Sequence, residues 1–74
     1  MNSEHLIRMA NQIGTFFESM PDRTEALEGI ANHLRKFWDP RMRHEFLALL
    51  DQDEGRAVNA LVREALQKHR AMVA

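Results

Sequence analysis

Apolar residues return along most of this chain at spacings of three and four, the period of a helix with one buried face. Leu6, Met9, Ala10, Ile13, Phe16, Phe17 and Met20 form the first such stripe. Ser3 is a suitable N-cap, and Pro21 ends the stripe because the residue before a proline is pushed out of helical geometry. The expected helix runs from about residue 4 to 20. Gly14 lies inside it at a cost of about 1 kcal/mol relative to alanine. A close helix-helix contact would explain that glycine, and so would chance.

Asp22 can cap a second helix, with Glu25 at the capping-box spacing. Ala26, Leu27, Ile30, Ala31, Leu34, Phe37 and Trp38 then repeat the pattern over about 23 to 38. Asp39-Pro40 reads as a break and a restart, an N-cap followed by a proline at the first helical position. Met42, Phe46, Leu49 and Leu50 face inward from a third helix over 40 to 50. After the polar loop Asp51 to Gly55, residues Val58, Leu61, Val62, Ala65, Leu66, His69, Met72 and Val73 mark a last helix over about 56 to 71, fraying at its end. No segment alternates with period two or has the turn chemistry of a hairpin. The fold expected is all-α: a single domain over 1 to 74, a small bundle of about four short helices joined by tight turns.

Composition narrows what such a bundle can do. At 74 residues the chain is near the lower size for one self-sufficient core, so a partner is expected to contribute stability. With no cysteine there is no disulfide, thiolate metal site or iron-sulfur ligation. Asn2, Ser3 and Glu4 after Met1 do not begin a secretory signal, and the apolar runs are too short to cross a bilayer. Cytoplasm is the expected compartment, with no membrane association. The formal charge of −1 argues against a nucleic-acid partner, since such domains carry a positive excess.

The charge is unevenly spread. Residues 1 to 32 hold two basic and five acidic side chains, residues 33 to 50 four and two, and residues 51 to 74 four and four. In the positive middle, Arg35, Lys36, Arg41 and Arg43 flank Phe37 and Trp38 around the Asp39-Pro40 break. Arginine and aromatic side chains dominate binding hot spots, which makes an interface one reading. The other has the aromatics finish the core and the cations form its solvated rim. A third reads a phosphate site at the start of the third helix, although Pro40 removes one donor and Asp39 competes for the rest.

Adjacent Phe16 and Phe17 lie about 100 degrees apart around a helix, so both cannot enter one narrow seam. With Met9, Met20, Met42 and Met72 they leave either apolar surface for a partner or a broad core face. Asn11 and Gln12 are amides on or beside the same stripe, able to pair with a partner's backbone or with water. His5, His33, His44 and His69 lack metal-ligand spacing, and Asp51, Asp53 and Glu54 lack the remainder of a calcium loop. No serine, threonine or carboxylate pair stands in a catalytic setting. No catalytic residue, metal ligand or bound cofactor is expected of this chain.

The strings Leu6-Ile7-Arg8-Met9-Ala10-Asn11-Gln12-Ile13-Gly14 with Phe16-Phe17, and Ala31-Asn32-His33-Leu34-Arg35-Lys36-Phe37-Trp38-Asp39-Pro40-Arg41-Met42-Arg43, resemble the small delta subunit of soluble, NAD-dependent, molybdenum-containing formate dehydrogenases. The likeness extends to Leu61-Val62-Arg63-Glu64-Ala65-Leu66. It implies a non-catalytic subunit of an oxidoreductase complex whose larger subunits carry bis-molybdopterin guanine dinucleotide, iron-sulfur clusters, FMN and the NAD site. The implied task is complex assembly and stabilisation and insertion of the molybdenum cofactor into the catalytic alpha subunit. Met9, Asn11, Gln12, Phe16, Arg35, Phe37, Trp38, Arg41 and Met42 are the residues expected to meet that partner. The alternative is a direct carrier, with Arg35, Lys36, Arg41 and Arg43 holding the phosphates of the cofactor. In isolation, a surface meant for a partner can also drive a symmetric dimer.

Overall fold

A computed structural model describes residues 2–74 and consists of helices without strands among them. Helix α1 spans Ser3–Glu18, α2 Arg23–Phe37 and α3 Pro40–Leu50; a 3₁₀ turn at Asp53–Ala57 leads to α4, Ala60–Lys68, and α5, Arg70–Val73. Local chemistry sets most of these ends. Asn2, rather than Ser3, caps α1, its Oδ1 accepting the Glu4 N–H at 2.8 Å. Asn2 holds the extended backbone of a cap, at φ −75° and ψ 123°, and Ser3 is already the first helical residue. Asp22 accepts the Glu25 N–H at 3.2 Å and Asp39 the Met42 N–H at 2.9 Å, so each restart carries its own carboxylate cap.

The expected helix over 56 to 71 is divided. Asn59 Oδ1 accepts from Leu61 and Val62, which starts α4 at residue 60, after Val58 in extended geometry. At the other end His69, at φ −118° and ψ 33°, turns the chain. The last turn then lies against α2 and buries Val73 completely.

Helix α2 is the hub, packed against α1, α4 and α5. Its Ala26, Leu27, Ile30, Ala31 and Leu34 meet Leu6 and Ala10 of α1, Phe46 and Leu49 of α3, and Leu61, Val62, Ala65 and Leu66 of α4 in one core. Gly14 has the reason the sequence left open. A Cβ there would stand 2.7 Å from Asn59 Cγ and 2.8 Å from Val62 Cγ2, so α1 and α4 approach more closely than alanine permits.

Two side-chain ties close the same seam. Asn11 accepts the Asn59 N–H at 2.7 Å and donates to the Ala57 carbonyl at 3.0 Å, while Asn59 Nδ2 donates to Glu18 at 2.8 Å. Farther along, the Arg23 guanidinium binds both oxygens of Glu64, at 2.8 and 3.3 Å. Among the described residues, no helix is long and apolar enough to cross a membrane.

Candidate interaction surface on the first two helices

The opposite flank of α1 is finished differently. Phe17 folds inward until its ring covers Gly29 of α2, where a Cβ would meet Cε1 at 2.5 Å. Phe16, one residue earlier, is left 70% exposed. The two rings touch edge to face, with centroids 5.2 Å apart. From Phe17 the contact passes to His33 at 6.4 Å and on to Phe37 at 4.9 Å. Phe37 is 72% exposed. Four rings therefore run from the side of α1 to the end of α2, with a bare phenylalanine at each end.

Beside this ladder lies a groove of about 520 Å³, lined by Met9, Gln12, Ile13, Phe16, Phe17, His33 and Trp38. Its floor is apolar because α1 turns Met9 and Ile13, one turn apart, toward α2. Trp38 contributes an edge only. The residue leaves the helix in extended geometry, is 5% exposed and packs its ring edge to face on Phe46, with centroids 5.4 Å apart. A second depression, about 490 Å³, lies on the other flank of α1 between residues such as Glu4, Arg8 and Thr15 and has no aromatic floor.

The residues expected to bind a partner thus divide. Met9, Gln12, Phe16 and Trp38 line one groove, and Phe37 joins it through His33. Asn11 spends its amide within the chain, on Ala57 and Asn59. Met42 packs against the core. Arg35, Lys36 and Arg41 are exposed, whereas half-buried Arg43 turns back to donate to the Arg35 carbonyl at 3.5 Å.

The last contact places a cation at the C-terminus of α2, where Arg35 and Lys36 also complement the helix dipole. The start of α3 offers an anion little, because Asp39 already occupies the Met42 N–H and Pro40 has none. Phe17, which the sequence marks with Phe16 as leaving apolar surface or a broad core face, lines the groove together with Ile13 and His33, which lie outside the set expected to meet a partner. The four-residue spacing of His33 and Phe37 was the available signal, since such pairs are neighbours on a helix. Among the described residues, no three His, Asp or Glu side chains converge on a metal-sized site.

Comparison with known proteins gives one family. The model of the NADH-dependent formate dehydrogenase delta subunit, FdsD, matches residues 5–66 of the 74. No curated protein and no solved structure matches the chain.

Proposed function

The chain belongs to the NADH-dependent formate dehydrogenase delta subunit family, and from that membership we propose that it is a non-catalytic accessory subunit that docks on the catalytic alpha subunit through the groove between α1 and α2. The observation that carries this reading is the pair of bare phenylalanines, Phe16 and Phe37, joined by an aromatic ladder across two helices. Single exposed apolar residues are ordinary, but a contiguous aromatic surface beside a groove is the form of a binding site. The cysteine-free sequence supports a role outside the redox chemistry, because no cluster can be ligated by thiolates of this chain. Its place of work is the cytoplasm, in assembly of the complex and loading of the molybdenum cofactor.

The direct test is co-purification of the alpha subunit with the wild-type chain and with Phe16→Ala/Phe37→Ala. Loss of the alpha subunit from the variant, with helicity retained by circular dichroism, is the expected result; equal recovery would reject the docking surface. The assembly role is measured separately, as the molybdenum content of alpha subunit produced with and without this chain. Equal content would leave docking in place and remove cofactor loading. The carrier reading is less supported, since Arg43 is turned onto the Arg35 carbonyl and Asp39 guards the start of α3.

A further inference from the structure

We infer that the groove receives an amphipathic α-helix of the docked subunit, carrying carboxylates at the end that lies over Phe37, Lys36 and Arg41. This inference rests on the docking reading above and specifies the chemistry of the docked element.

The shape of the groove selects a helix. Both walls are helices, whose backbone N–H and C=O groups are spent within α1 and α2, so an extended strand would find no sheet edge to pair with. A helix arrives with its own backbone satisfied and needs only apolar anchors. Met9 and Phe16 are seven residues apart on α1, about 10 Å at 1.5 Å per residue. That distance matches anchors at i, i+4 and i+7 of an incoming helix. A second copy of this chain is a poor occupant. A two-fold contact sets the same patch against itself, which brings the cations Arg35, Lys36 and Arg41 of both copies into one interface.

The rim selects the charge. Lys36 follows His33 by three residues on α2 and precedes bare Phe37, so it stands on the solvent edge of the aromatic ladder. Arg41 opens α3 just past the corner. Both are exposed, and among the described residues neither lies within ion-pair distance of a carboxylate. Asp39, the acid nearest in sequence, accepts the Met42 N–H through one oxygen and offsets part of this charge. Residues 33 to 50 carry four cations against two acids, so this end of the groove keeps a positive excess, and carboxylates on the partner would be complementary to it.

Zero-length carbodiimide cross-linking of the purified complex tests this, because the chain has two lysines, Lys36 beside the groove and Lys68 on α4 as internal reference. Lys36 is expected to link to Asp or Glu of a partner segment whose apolar residues recur at helical spacing. Lys36→Glu/Arg41→Glu should weaken recovery of the alpha subunit about tenfold, as for complementary rim charges. Links from Lys68 alone, links from Lys36 to a second copy, or a partner segment without helical spacing would each overturn the proposal. So would unchanged recovery of the charge-reversed variant. In all those cases the docking reading survives if Phe16→Ala/Phe37→Ala still releases the alpha subunit; if that variant binds normally, the docking reading itself fails.

Discussion

Helix α1 meets the rest of the molecule in two ways. Toward α4 its backbone is sealed: Gly14 lets the two helices close on each other, and Asn11, Asn59 and Glu18 tie the seam with hydrogen bonds, beside a depression that has no aromatic floor. On its other flank, beside α2, it is open: Phe17 covers Gly29, but Phe16, Phe37 and a groove remain in solvent. A helix of sixteen residues could bury both flanks only with more chain to cover them. The sealed flank holds the fold together. The open flank keeps apolar area exposed, which a monomer has no stability reason to retain.

The comparison breaks most severely at Trp38, which lines the groove yet belongs to the core. Trp38→Ala should cost about 3–5 kcal/mol, enough to unfold much of so small a domain. Urea titration followed by circular dichroism checks this, and any loss of docking by that variant reports folding rather than contact. On the sealed flank, Gly14→Ala forces a methyl against Asn59 and Val62. It should lower stability by about 1–3 kcal/mol, read as a lower urea midpoint at unchanged slope.

The open flank should behave in the opposite sense. Phe16→Ser and Phe37→Ser are expected to move stability by no more than about 0.5 kcal/mol while abolishing recovery of the alpha subunit. A large loss of stability in either would show the flank to be part of the core after all.

The smallest effect concerns the exposed tie between α2 and α4. The hydrogen bond from Arg23 holds the Glu64 carboxyl below its ordinary pKa, with the charge of Arg23 adding to it. A depressed carboxylate pKa contributes stability above its unfolded value, and that contribution is lost as pH falls through the folded value. Wild type should therefore lose slightly more stability than Glu64→Gln over that acid window. Added salt should shrink the difference, because both groups are open to solvent. A difference that grows with salt would refute this assignment.

How much was legible in sequence follows the reach of the interactions. Helix α3 runs over the expected 40 to 50 because Asp39, Pro40 and the polar residues after Leu50 are all local signals. The last helix starts late at Asn59, which caps it through a local signal that periodicity passes over and whose N–H is also held by Asn11 from far away in sequence. Periodicity carries no mark of such a bond. The same bond explains why Asn11, an amide beside an apolar stripe, resembles a residue waiting for a partner while being satisfied at home. Phe37 and Trp38 were indistinguishable as neighbours at a helix end. Their fates separate only because the chain turns extended at Trp38 and directs the indole onto Phe46.

Gly29 gives the open flank an unusual vulnerability. The glycine is the bed on which the Phe17 ring rests, 2.5 Å from where a methyl would be. A single added carbon would force that ring to shift, and the ring is itself a wall of the space the partner is proposed to fill. Gly29→Ala would then reshape the groove from beneath without replacing any residue that lines it.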